Sequence, residues 1–381
     1  MNKRHRRSLL LFSFVFVFAG FPSLGAQNTA TSHPSLLPGP KPADTPAGWK
    51  QLVGIYTRED THEQFILLER NQQLHWLSPD SQDVEVREDK QTVWIDDGKG
   101  RQIGLAEQRE NGKEVTGLSD SNEHYVRIDA GSDPAHFFRI TLSKPLDQLR
   151  AMALAAKPPA EAKAFRKPEL VELVTLDPGF HLDIRYAQSN NFLSTPIYTQ
   201  ARAFLQRPAA EALVRVLQKL RPLGYGILIH DAYRPWYVTK LFWDATPPED
   251  HNFVADPQKG SRHNRGCAAD LTLYELATGK AVEMPGLYDE MSPRSFPNFP
   301  GGTSLQRWHR ELLRRAMESE GFTVNVDEWW HFDYKDWEHY PILNVPFENL
   351  TRAAAAGTSL SNAIGCPPGA DCHPAEVFPG S

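Results

Sequence analysis

The chain has 381 residues, 40% of them hydrophobic and 23% charged, with 41 Lys and Arg against 47 Asp and Glu for a formal net charge of -6. That length accommodates two domains, and that apolar share is enough for a sizeable core. A net-acidic chain with no dense Lys/Arg block after its first residues lacks the basic stripe that displaces counterions from nucleic acid, so the expected partner is a small molecule or peptide.

Met1 to Arg7 is basic, Ser8 to Phe21 is almost wholly apolar, and Pro22-Ser23-Leu24-Gly25-Ala26 offers small residues for cleavage. This is the pattern of a signal peptide over residues 1–26, and its apolar run falls short of the ~20 residues that span a bilayer. The expectation is an exported protein, periplasmic or extracellular, with no integral membrane contact after cleavage; the alternative, given an imperfect cleavage site, is retention of the segment as an N-terminal anchor. Residues 27–47, rich in Pro, Ser, Thr and Ala without hydrophobic period, read as a flexible spacer.

Residues 48–145 alternate short β-type runs with polar turns: Phe65-Ile66-Leu67-Leu68, Leu74-His75-Trp76-Leu77, Val93-Trp94-Ile95, Tyr125-Val126-Arg127-Ile128 and Phe137 to Leu142, with Asp96-Asp97-Gly98-Lys99-Gly100 as the clearest turn. They predict a small all-β module, an antiparallel barrel or sandwich. A helix from Leu146 to Ala156 and the Pro158-Pro159 segment form a helix-and-linker stretch over 146–165.

Residues 166–350 mix helices and strands, as in an α+β domain. Pro208 opens a helix whose Leu213, Val216, Leu217 and Leu220 share one face, and Gly224-Tyr225-Gly226 ends it. The strand Ile227-Leu228-Ile229 delivers Asp231-Ala232-Tyr233-Arg234-Pro235 at its end. A strand over Asp270 to Tyr274, a helix from Ser304 to Ser319 and a strand around Phe322 to Val326 follow. Residues 351–381 read as a flexible tail, in which Cys366 and Cys372 either pair or stand free.

Chemistry concentrates in Ser261-Arg262-His263-Asn264-Arg265-Gly266-Cys267-Ala268-Ala269-Asp270 and in Asp327-Glu328-Trp329-Trp330-His331. Two imidazoles and a carboxylate, His263, Asp270 and His331, are a recurring catalytic zinc set, because three protein ligands leave a fourth position for water. The small residues 266–269 would let the backbone turn so that His263 and Asp270 meet, with His331 arriving from another strand. Glu328, three residues before His331, suits a general base acting on zinc-bound water. Arg234 can stabilise the oxyanion that forms on attack. Cys267 reads as a space-filler and not as a nucleophile.

The motifs Asp231-Ala232-Tyr233-Arg234-Pro235, Ser-x-His-x-x-Gly-x-Ala-x-Asp-Leu-Thr-Leu and Glu-Trp-Trp-His, in that order, resemble the zinc D-alanyl-D-alanine dipeptidases of the VanX type over about residues 174–346. The resemblance implies one Zn2+ per chain on His263, Asp270 and His331, Glu328 as catalytic base, Arg234 assisting the transition state, and the hedgehog-like scaffold of that class. It also implies that Asp289 pairs with the ammonium of a small D,D-dipeptide, that Ser261 lies near the substrate carboxylate, and that Tyr186 and Tyr198 line the pocket. The N-terminal β module departs from the minimal members of the family.

Two rival readings keep the same scaffold. A zinc D,D-carboxypeptidase acting on peptidoglycan-derived stem peptides would need a site open to a long acyl chain, against which Asp289 argues. A zinc-bearing binding module of the hedgehog kind would need neither Glu328 nor Arg234.

Overall fold

The structure is a computed structural model that describes residues 36–96, 102–112, 114–128, 139–290 and 292–350. The signal peptide, the first part of the spacer, most of the turn at 96–100, the tail and its two cysteines lie outside the described residues.

After a short helix, Ala47–Leu52 (α1), the described residues form eight antiparallel strands: Gly54–Arg58, Gln64–Arg70, Gln73–Leu77, Asp83–Asp89, Thr92–Asp96, Gln102–Glu110, Glu114–Ser119 and His124–Ile128 (β1 to β8). Each pairs with the next and β8 pairs back onto β1, so the sheet is a closed barrel and keeps no edge. Its core is Tyr56, Leu67, Leu74, Trp76, Val86, Val93, Leu105, Val115, Leu118 and Tyr125. Most strands therefore send in one or two apolar side chains, and β1, β4, β6 and β7 carry no hydrophobic run by which the sequence could reveal them.

The run expected as a strand over Phe137 to Leu142 is corrected in its described part. Arg139 to Leu142 is not strand, and Ile140 is buried in the core of the C-terminal domain, its N–H donating to Phe192 O at 2.9 Å. In the stretch 146–165 the expected helix is present, whereas the linker after it is held in place. Helix Leu146–Ala155 (α2) buries Leu149 and Ala153 in that same core, and the Glu161 carboxylate accepts from Arg265 (2.7 Å) and from Ile342 N (2.8 Å). Residues 36–46, the end of the expected spacer, are also held: Trp308 Nε1 donates to Gly39 O at 3.1 Å, and buried Thr45 donates to Glu69 at 3.0 Å. A proline-rich composition reports only that a segment cannot form regular ladders, not that it is free.

The remaining elements are Leu170–Glu172 (β9), Leu173–Leu176 (α3), Phe180–Leu182 (β10), Phe204–Gln206 (β11), Arg207–Leu220 (α4), Tyr225–Asp231 (β12), Trp236–Ala245 (α5), Ala268–Glu275 (β13), Ser304–Glu318 (α6), Phe322–Val324 (β14) and His331–Tyr334 (β15). A mixed sheet of order β10-β12-β13-β15-β14 forms the frame, with β10 and β12 parallel and the other neighbours antiparallel; β9 and β11 pair separately. Helix α4 starts with Pro208 in its first turn and buries Leu213, Val216, Leu217 and Leu220 as the spacing predicts. Helix α6 opens on a capping box between Thr303 and Gln306 and buries Leu312, Leu313, Ala316 and Met317.

Helix α5 is not foreseen by the sequence. Its Trp-Tyr-Val-Thr and Leu-Phe-Trp content favours strands, yet Trp236, Tyr237, Val238, Thr239, Leu241, Phe242 and Ala245 are all buried, so packing overrides propensity. No helix among the described residues is long and apolar enough to cross a membrane.

Candidate metal centre and catalytic cavity

Three sheet strands converge at one point. Asp270 on β13 and His331 on β15 are directly opposed in the antiparallel register, so their side chains leave the same face. A bulge in β12 between Ile229 and Asp231 sets Asp231 opposite Asp270. His263 arrives from a single turn of 3-10 helix, His263–Arg265, closed by Gly266 at φ 66°, where a Cβ would lie 2.4 Å from Leu170 Cδ2. Gly266 alone makes the turn; Cys267 is buried and Ala268 already begins the strand. Burial pushes the Cys267 thiol far up, so it is no thiolate.

His263, Asp270 and His331 are buried, with one ligand atom from each within 4.8 Å of the others. His263 Nε2 lies 3.1 Å from His331 Nδ1 and 3.3 Å from Asp270 Oδ1, and His331 Nδ1 lies 3.0 Å from Asp270 Oδ1. Tetrahedral zinc with bonds of about 2.0–2.1 Å sets its ligands about 3.3 Å apart, which these spacings match. The outward ring nitrogens are committed: His263 Nδ1 meets Ala232 O at 2.6 Å and His331 Nε2 meets Asp333 Oδ1 at 2.9 Å. Both inward nitrogens can then present lone pairs to a shared centre, an arrangement that a cation stabilises. Tyr288 donates to Asp270 Oδ2 at 3.1 Å, completing the outer partners of the triad.

The electrostatics agree. Burial works to raise Asp270, but His263 and His331 outweigh it and hold the carboxyl well below its ordinary range. Burial works to lower His331, but Asp270 and Asp333 outweigh it and push the imidazole up to about 10 in the metal-free chain, so the proton on Nδ1 is the charge that a bound cation would displace.

A cavity of ≈690 Å³ opens on this centre, a size suited to a small ligand. Glu328 lines it, with Oε2 3.7 Å from His331 Nδ1 and accepting from Asn325 Nδ2 at 3.3 Å. Burial pushes the Glu328 carboxyl up against the opposing pull of His331, and Asp270 adds to the rise. Arg234 also faces the cavity while donating through Nε (2.9 Å) and Nη2 (2.8 Å) to Asp231 Oδ2, its guanidinium 5.2 Å from the Tyr186 ring centroid and 5.0 Å from that of Phe242. An arginine has five N–H groups, so this clamp leaves donors for the cavity.

Asp289 closes another side. It is buried, accepts from Tyr186 OH at 3.0 Å, and adopts φ 57°, a left-handed conformation costly for a residue with a side chain. Burial, reinforced by the Asp270 and Glu328 charges, pushes its carboxyl up to about 8, so the site is poised to receive a cation beside it. Ser261 lines the cavity and its Oγ accepts from His263 N at 3.2 Å; Tyr186 lines it too.

Tyr198 does not. Buried at 4% exposure, it donates to Asp231 Oδ1 at 2.8 Å and stands behind the Arg234 clamp, which corrects its expected place on the pocket wall. Sequence reasoning passed over Asp333, Asn325 and Tyr288. The spacing of His331 and Asp333, which puts alternate strand residues on one face, was a usable signal for the first. Asn325 and Tyr288 come from irregular segments and gave none.

The D-ala-D-ala dipeptidase family of M15 peptidases matches residues 166–350. A D-alanyl-D-alanine dipeptidase of Escherichia coli (strain K12) is 35% identical over 179 residues, 47% of this chain and 91% of the relative. Proteins of the same description from Enterococcus faecium (34% over 183 residues) and Enterococcus faecalis (35% over 185 residues) each align over 43% of this chain and 89% of their own length. The barrel lies outside the family match.

Proposed function

This chain belongs to the D-alanyl-D-alanine dipeptidase family of M15 peptidases, hydrolases by class, and on that premise we propose that it hydrolyses the free D-alanyl-D-alanine dipeptide to two D-alanines with one zinc ion on His263, Asp270 and His331. The observation that carries the reading is the arrangement of Glu328, Arg234 and Asp289 around one cavity that opens on the three ligand atoms.

Zinc, when bound, supplies Lewis-acid chemistry that lowers the pKa of a water to about 7 and polarises the scissile carbonyl. Glu328 takes the proton of the attacking water and returns it to the departing amine; its raised pKa suits both halves of that task. Asn325 fixes the orientation of the Glu328 carboxylate. Arg234, immobilised by Asp231, offers N–H donors to the charge that grows on the carbonyl oxygen. Asp289, ionised by the arrival of an ammonium group, holds the free N-terminus and so selects a dipeptide over the end of a longer chain. Ser261 stands for the substrate carboxylate and Tyr186 for the wall beside Asp289.

The basic and then apolar N-terminus supports export, and an exported dipeptidase would meet D,D-dipeptides released by cell-wall turnover. N-terminal sequencing of the protein recovered from outside the cytoplasm tests that part.

For the activity, the purified zinc-loaded chain is assayed on D-Ala-D-Ala, L-Ala-L-Ala and N-acetyl-D-Ala-D-Ala. Turnover of the free D,D-dipeptide alone, abolished by chelation, is expected. Cleavage of the acetylated substrate makes the enzyme a carboxypeptidase, and stoichiometric zinc with no turnover makes it a binding module.

A further inference from the structure

The segment 283–304, described at all but residue 291, carries Asp289 and much of the cavity wall without a single strand to support it. Glu290, Ser292, Pro293, Ser295 and Phe296 line the catalytic cavity, whereas Met284, Leu287, Tyr288, Arg294 and Phe299 line a second cavity of ≈660 Å³, shared with Val53, Val115 and Arg127 of the N-terminal module. The segment thus runs between two voids, reaching the core of the C-terminal domain through Met284 and Tyr288, while its later part, from Ser292 to Gly302, leans toward the barrel. Its position depends on bonds to the C-terminal domain, Trp329 N to Ser295 O (2.8 Å), Tyr186 to Asp289 (3.0 Å) and Tyr288 to Asp270 (3.1 Å), on an internal knot around the Glu290 carboxylate, and on how its ends are held.

Both ends meet the N-terminal module, the start being tied as well to β13 by Val282 N to Leu273 O at 3.0 Å. At the start, Lys50 on α1 meets Glu283 at 3.2 Å. At the finish, Glu69 on β2, fully buried, accepts from Ser304 N at 2.8 Å while its own N–H donates to Gly302 O at 3.2 Å. Arg307 ties the same point together, donating to Gly302 O (2.8 Å) and to Glu69 O (2.7 Å), and Thr45 donates to the Glu69 carboxylate at 3.0 Å. Between the ends, Ile66 abuts the chain at Gly301, where a Cβ would lie 2.9 Å from Ile66 Cγ2, and Pro293 and Pro300 face Ile55, Ile66 and Leu77 across a small cleft. A carboxylate at the first N–H groups of α6 is also favoured by the helix dipole, so Glu69 is the firmest of these anchors.

We propose that the N-terminal barrel is the positioning element for the ammonium side of the catalytic cavity: Glu69 fixes segment 283–304, and through it the place of Asp289. The inference rests on the reading of Asp289 as the partner of the substrate N-terminus. It gives the barrel, which lies outside the family match, a part in substrate selection, with Glu69 a positioning residue that never touches substrate.

The test uses the full zinc-loaded chain with Glu69→Ala and, separately, Ile66→Ala, a half-buried outward residue whose loss leaves the barrel core intact and carries the test should Glu69→Ala not fold. Expected is a rise in KM for D-Ala-D-Ala of about tenfold with kcat nearly unchanged, a fall of similar size in preference over N-acetyl-D-Ala-D-Ala, and amide exchange in 284–300 faster by about tenfold while that of 268–275 stays as in wild type. A smaller change of the same pattern is expected for Ile66→Ala. Folded variants with wild-type KM, selectivity and exchange overturn the proposal, as does a fall in kcat at constant KM. A wild type that leaves the dipeptide intact refutes the proposed function instead, and the exchange measurement then decides this inference alone.

Discussion

Replacing Asp231 with Asn separates the groups that hold the cavity from those that act in it. Asp231 is 1% exposed; Oδ1 accepts from Tyr198 OH (2.8 Å) and Ala232 N (2.9 Å), and Oδ2 accepts both bonds from Arg234. Asn keeps the shape and the first two bonds but turns an NH2 group toward the guanidinium donors, leaving Arg234 buried without its main counter-charge. Breaking a buried pair costs about 3–5 kcal/mol. Because Asp270 Oδ2 still lies 3.9 Å from Arg234, the lower end, about 3 kcal/mol, is expected here. At about 2–4 °C per kcal/mol, the melting temperature should fall by roughly 6–12 °C. Arg234 should also lose its alignment, with kcat for D-Ala-D-Ala down about a hundredfold. Scanning calorimetry and steady-state kinetics on the same preparation read both, with Tyr198→Phe as a milder companion that removes one hydrogen bond, about 1 kcal/mol. An Asp231→Asn protein that melts and turns over like wild type would show that the clamp neither stabilises the fold nor positions Arg234.

Further predictions concern single groups. Glu328→Gln should lower kcat by about a thousandfold with melting temperature and zinc stoichiometry unchanged, as expected of a proton carrier; equal loss in a chelated wild type and none in the variant would assign the chemistry elsewhere. Asp333→Asn, which weakens the bond to His331 Nε2, should reduce zinc affinity about 10–100-fold in competition with a chromophoric chelator, and unchanged affinity would reject the outer partner. Asp289→Asn should raise KM for the free dipeptide while stabilising the metal-free protein at pH 8. The sign follows from a folded pKa of about 8, above the ordinary carboxylate value: both folded and unfolded forms are protonated below about pH 4, and stability is lost as the pH climbs toward 8 because the unfolded chain ionises first. Asn tolerates the left-handed backbone at φ 57°, so melting curves should coincide at pH 4 and separate at pH 8; the reverse order would contradict the burial of a charge there.

The sequence by itself brought forward the residues that the structure gathers at one cavity. His263, Asp270 and His331, with Glu328 and Arg234 at fixed spacings, are legible because ligand and base chemistry demands particular side chains and because short motifs survive as contiguous strings. Periodicity likewise found α4 and α6, whose one-sided burial repeats every three to four residues. Only the tertiary structure decided what surrounds them. That Tyr198 backs Asp231 and does not face the cavity, that α5 is a helix despite its aromatic and β-branched residues, and that residues 36–46 and 156–165 are pinned are outcomes of contacts between positions far apart in the chain. In the barrel, which the sequence foresaw as an all-β barrel or sandwich with the runs of β2, β3, β5 and β8, the same holds for β1, β4, β6 and β7, for closure over a sandwich, and for the grip through Glu69 on a segment more than 200 residues away. Local pattern encodes what a side chain can do; burial and pairing, which depend on the whole chain at once, determine where it does it.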